Sequence, residues 1–119
     1  MHNFRNLNIW KNGIELVKEI YKVSLLLPDE EKFGLTSQIR RAAVSVPSNI
    51  AEGSSRNSEV EYKRFLEIAM GSLFEIETLL IIILELSLIE EEKVKPLFDK
   101  VQSEQKMINN LISKIKANI

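Results

Sequence analysis

Residues 35–58, LTSQIRRAAVSVPSNIAEGSSRNS, constrain the fold more than any other stretch of the chain. Apolar or small residues recur at Leu35, Ile39, Ala42, Ala43, Val46 and Ile50, which is the spacing of one helical face. Pro47 falls inside that face. It has no N–H, and its ring crowds the carbonyl of Ala43, so the pattern predicts one kinked helix that continues through the proline. Ala42, Ala43, Ser45, Ser48 and Ala51 are small, so a neighbouring helix can come close. A second stripe, Gln38, Arg41, Ser45, Asn49 and Glu52, is polar at spacings of three and four. A solvent face would normally carry Lys and Glu. The short-chained stripe therefore reads first as a structural polar network and second as a ligand or nucleic-acid site. Counting residues along antiparallel helices sets Gln38 and Arg41 level with Tyr21, Ser72, Glu104 and Gln105. Arg41 is thus expected to be buried on a carboxylate, Glu104 or Glu67, or on a backbone carbonyl.

Three further helices are predicted. The first covers about residues 7–26, with Asn6 as N-cap, and Pro28 stops it. Four of its seven heptad positions are mostly apolar, where a bundle helix needs about three. The surplus position, Ile9, Leu16 and Val23, is assigned to an oligomer interface. Thr36 and Ser37 are alternative caps for the second helix. That helix ends near Glu52, with Gly53 in the left-handed position after it. Ser58 caps the third helix, and Glu61 completes a Ser-x-x-Glu box. The third helix covers about residues 59–86. Tyr62, Phe65, Leu66, Ala69, Ser72, Leu73, Ile76, Leu79, Leu80 and Ile83 form its core stripe. It becomes apolar all round at Ile81, Ile82 and Leu84, which join the interface assignment. The fourth starts near residues 90–92, with Pro96 forcing a late start or a bend. Its stripe, Val94, Leu97, Phe98, Val101, Ile108, Leu111, Ile112 and Ile115, is interrupted by Glu104 and Gln105. Short connections then give one all-α domain over residues 1–119, an antiparallel, left-handed, up-down-up-down four-helix bundle.

The segments SQIRRAAVSVPSNIAEG and EYKRFLEIAMGSLFEIET, with LNIWKNGIELVKEIYKV before them, resemble the bacterial four-helix-bundle family encoded within intervening sequences of 23S ribosomal RNA genes. That family is similar in turn to the accessory variability protein of diversity-generating retroelements, a pentameric bundle that binds nucleic acid and a reverse transcriptase. The resemblance implies the bundle fold, a start of the second helix near Gly34, self-assembly with a pentamer favoured, and RNA or DNA as a partner.

Chemistry is sparsely represented. With no cysteine there is no disulfide or thiolate metal site. His2, the only histidine, is placed at a frayed end, which leaves no basis for a histidine metal site or a catalytic triad. There is no Glu-x-x-His pair and no glycine-rich phosphate loop. No metal and no cofactor are expected, and the chain is read as non-enzymatic. The apolar run at residues 79–84 is far shorter than the ~20 residues of a membrane span. The N-terminal residues lack the apolar centre of a signal peptide, so a cytoplasmic protein is expected. A net charge of −1 argues against a generally basic surface. Phosphate contact would fall to Arg40, Arg56, Lys63 and Arg64, with Lys11, Lys18 and Lys22 as a second group. The leading reading is a self-assembling, nucleic-acid-associated accessory bundle. The alternatives are a purely structural or protein-binding oligomer and an unrecognised enzyme.

Overall fold

Ser58 starts a helix in the way its sequence context requires. Its Oγ accepts from the Glu61 N–H at 3.1 Å and donates to the Glu61 carboxylate at 3.3 Å. In the computed structural model, which describes residues 2–119, this cap opens the third of four long helices. They are α1 (Asn8–Ser24), α2 (Leu35–Ser54), α3 (Glu59–Glu85) and α4 (Glu91–Ala117). Two short 3-10 turns, Phe4–Asn6 and Asp29–Glu31, precede α1 and α2. No strand occurs among the described residues.

Pro47 lies within α2, which runs on to Ser54. Ile39, Ala42, Ala43, Val46 and Ile50 are buried on both sides of the proline, and that burial offsets a lost backbone bond of about 1 kcal/mol net. Pro96 is likewise inside α4. The caps depart from expectation at two places. Asn3, not Asn6, caps the turn before α1, accepting from the Arg5 N–H at 3.2 Å, and Leu7 occupies the N-cap of α1. The Glu31 carboxylate, reaching back from the preceding turn, accepts from the Leu35 N–H at 3.1 Å and does the work assigned to Thr36 or Ser37.

Gly53 is a correction. It is helical and has no positive φ, and α2 passes through it. A Cβ there would lie 2.7 Å from Phe65 Cβ, so the glycine serves the approach of α3. The left-handed residue occurs instead at Ser87 (φ 55°) after α3. There the Leu88 N–H donates to the Ile83 carbonyl and the Ser87 N–H to the Leu84 carbonyl, both at 3.0 Å, a Schellman closure.

Each helix packs on its neighbour in the chain, and α4 closes back on α1. Among the described residues the backbones of diagonal helices do not approach one another closely, so the section is a square with α1, α2, α3 and α4 in order round it. The α2–α3 seam is the most intimate and the α1–α4 seam the thinnest. The resulting rod measures 45 × 22 × 20 Å. Its core runs the full length, from Leu27, Ile89 and Val94 at one end to Ile9, Tyr62 and Ile115 at the other.

Candidate interaction surfaces

The small residues of α2 let α3 approach, and the polar stripe then divides. The Ser45 and Ser72 hydroxyls meet across the seam at 2.7 Å. Asn49 donates to the Ser45 carbonyl at 2.8 Å and to its hydroxyl at 3.0 Å. Gln38 and Glu52 make contacts at the surface, to Glu75 at 3.4 Å and to the half-buried Arg56 at 3.2 Å. Arg41 is exposed and makes no hydrogen bond or ion pair among the described residues, which overturns its expected burial. Neither favoured carboxylate is available to it. Glu67 pairs with Lys63 at 3.2 Å, and Glu104 lies level with Pro47, six residues or about 9 Å further along α2.

Of the four proposed phosphate contacts, Arg56, Lys63 and Arg64 share the α2–α3 turn and the start of α3, whereas Arg40 lies apart against α1, and most are engaged. Arg40 donates to Ser24 Oγ at 2.8 Å and lies over the Tyr21 ring at 4.6 Å. Arg56 pairs with Glu52 and covers Phe65 at 4.8 Å. Lys63 holds Glu67. Arg64 is exposed without an ion pair among the described residues. On α1, Lys18 pairs with Glu15 at 3.3 Å and Lys22 with Glu19 at 3.9 Å, whereas Lys11 is exposed and has no ion pair among the described residues.

Ile9, Leu16 and Val23 do not form an outer surface; all three are buried in the chain's own core with Gly13 and Ile20. At Gly13 on this inward face Pro47 of α2 and Glu104 of α4 come close, so a Cβ there would lie 3.4 Å from Pro47 Cβ and 3.3 Å from Glu104 Oε2. The neighbouring stripe, Trp10, Ile14, Val17 and Tyr21, is left part-covered or exposed. Trp10, Ile14 and Val17, with Val44, Pro47, Ser48 and Ala51, line a nearly apolar groove of ≈ 280 Å³ between α1 and α2. On α3, Phe74 is 57% exposed, Ile81 47% and Ile82 36%, while Leu84 packs partly against the core. Phe74 borders a second groove, of ≈ 550 Å³, with Met70 and Glu77 of α3 and Gln102, Gln105 and Lys106 of α4. In the square section these two grooves lie on opposite sides of the rod.

His2 is better held than a chain end normally is. Its Nε2 lies 3.0 Å from the Glu59 carboxylate, its ring stacks on Tyr62 at 4.6 Å, and its N–H donates to the Ser54 carbonyl at 2.8 Å. Burial, with Glu59 adding, pushes the Tyr62 hydroxyl up to about 12. Among the described residues no group of three or more His, Cys, Asp or Glu side chains could hold a metal ion. No helix there is long and apolar enough to cross a membrane.

A buried carboxylate, Glu104, stands apart from these surfaces. It is 1% exposed, and neither oxygen has a hydrogen-bond partner among the described residues. Sequence periodicity marked it as a break in an apolar stripe and residue counting offered it as a partner for Arg41, which it does not meet.

No curated protein matches the chain. A crystal structure of a protein of unknown function from the S23 ribosomal protein family of Bacteroides thetaiotaomicron superposes with a TM-score of 0.81 at 23% identity, over 87% of this chain and 97% of that one. At that identity the likeness concerns the fold. The profile of the 23S rRNA-intervening sequence proteins matches residues 5–110, nearly the whole of the bundle. The chain therefore belongs to the 23S rRNA-intervening sequence protein family.

Proposed function

We propose that this chain is a non-enzymatic, self-assembling bundle in which the Phe74 face of one copy docks into the α1–α2 groove of the next, and that the assembly is an accessory to RNA. The observation that carries it is the pair of apolar surfaces on opposite sides of the rod, the exposed Phe74, Ile81 and Ile82 side chains of α3 on one and the α1–α2 groove on the other. Soluble monomers rarely leave such faces open. Two different faces on one subunit make a head-to-tail contact, which closes into a ring or grows as a filament. A five-copy ring is the form that the family resemblance implies. The RNA part of the reading is supported by the family's description and by Arg41 and Arg64, which are exposed and without ion pairs among the described residues.

Light scattering at micromolar concentration tests the assembly. Wild type should give a multiple of the 13.7 kDa chain mass. Phe74→Glu and Ile81→Glu alter side chains that are half exposed in the single chain, so they should return monomers with unchanged helical circular dichroism. A clean 13.7 kDa species from wild type would overturn the reading.

A further inference from the structure

We propose that Glu104 is a neutral acid clasp: its protonated carboxyl donates to the α2 backbone carbonyl that Pro47 leaves without an N–H, and it binds α4 to the break in α2. Three observations meet at one point. A Cβ on Gly13 would lie 3.3 Å from Glu104 Oε2, 3.4 Å from Pro47 Cβ and 3.6 Å from Pro47 Cα. The missing side chain of Gly13 thus makes the space in which the carboxyl and the proline share a junction of α1, α2 and α4. Pro47 cannot bond the carbonyl of Ala43, one turn back, so a main-chain acceptor in this buried junction lacks its usual donor. The Glu104 oxygens are themselves without any N–H or O–H donor among the described residues. A bare carboxylate there would be an unpaired buried charge, which is among the costliest arrangements in a protein core. A carboxylic acid carries the donor that the α2 break lacks.

No charge on the surrounding elements offers a different solution. On α1, Lys11, Glu15 and Lys18 are exposed, and Lys18 pairs with Glu15. On α2 nothing ionisable lies between Arg41, which is exposed, and Glu52, which pairs with Arg56. On α3, Glu77 accepts from Gln105 at 2.9 Å, and Lys63 is paired with Glu67. On α4, Asp99, Lys100 and Lys106 are exposed, with Lys100 3.9 Å from Glu19. Burial alone accordingly pushes the Glu104 carboxyl up to about 8, from an ordinary 4.5.

The sign of the pH effect follows. Between pH 4.5 and about 8 the folded chain keeps a proton that the unfolded chain has lost. Stability from this group therefore falls as pH rises through that window and levels off above it. Glu104→Gln keeps the shape and an N–H donor but cannot titrate. Its folding constant, divided by that of wild type, should rise by up to about tenfold per pH unit across the window. A ratio flat with pH would overturn the clasp. Infrared spectroscopy of wild type needs no substitution: a carboxylic-acid carbonyl band should be present at pH 6, lost at high pH, and absent from Glu104→Gln. Its absence from wild type at pH 6 would also overturn the proposal. The link to the proline is read from Pro47→Ala, which restores an N–H for Ala43. In that background the acid band of Glu104 should shift in frequency, and Glu104→Leu should lower the folding constant less than it does beside Pro47. An unshifted band, or equal losses, would show that the proton goes elsewhere.

Discussion

At Gly53 the backbones of α2 and α3 come so close that an added Cβ would meet Phe65 Cβ at 2.7 Å and Tyr62 Cδ1 at 3.1 Å. At Gly71, in the middle of α3, an added Cβ would meet nothing within 4 Å among the described residues. The two glycines therefore predict opposite outcomes. Gly53→Ala should destabilise the fold by about 1–3 kcal/mol through overpacking, whereas Gly71→Ala should stabilise it by about 1 kcal/mol through helix propensity. Chemical denaturation of both variants checks this. Sequence alone does not separate such residues, because a glycine near a helix end signals a left-handed stop and close packing equally well. Only the neighbour's position decides, and Phe65 and Tyr62 are supplied by another helix. Arg41 was misjudged for a related reason. Arg41 shares the exposed face of α2 with Gln38, Val44 and Ser48, and counting residues along antiparallel helices gives their levels but not which face turns outward.

At the scale of the helices, signals contained within a few residues were legible. Ser58 and Glu61 specify the start of α3 without help from the rest of the chain, and Ser58→Ala should cost about 1 kcal/mol in thermal or denaturant unfolding. Continuation of α2 through Pro47 was also legible, because the buried stripe Ile39, Val46 and Ile50 keeps one phase across it. The inward face of α1 was not. Two adjacent stripes of similar hydropathy compete for the core, and the winner, Ile9, Leu16 and Val23, includes the glycine that admits Pro47 and Glu104. The cap supplied by Glu31 could not be read either, since it depends on the 3-10 turn that brings the side chain back to Leu35.

For the whole molecule, the even balance of charge limits what one copy can do with nucleic acid. Arg40, Arg56 and Lys63 are already engaged within the chain, so a monomer should bind structured RNA weakly. Repetition of the flank in an assembly multiplies phosphate contacts, and each one steepens the loss of affinity with salt. A salt titration of assembled wild type against monomeric Phe74→Glu should give the steeper slope for the assembly, and R56A/K63A/R64A should reduce it. Equal slopes would remove the RNA role and leave a protein-interaction oligomer. The square packing, finally, governs how the polypeptide finds its structure. Three of the four seams join helices consecutive in the chain, so each needs only a short loop to close. Chains of such low contact order fold in about microseconds to milliseconds. The one seam that must close the entire chain on itself, α1 with α4, is the thinnest, so most of the bundle can assemble before that long-range search has to succeed.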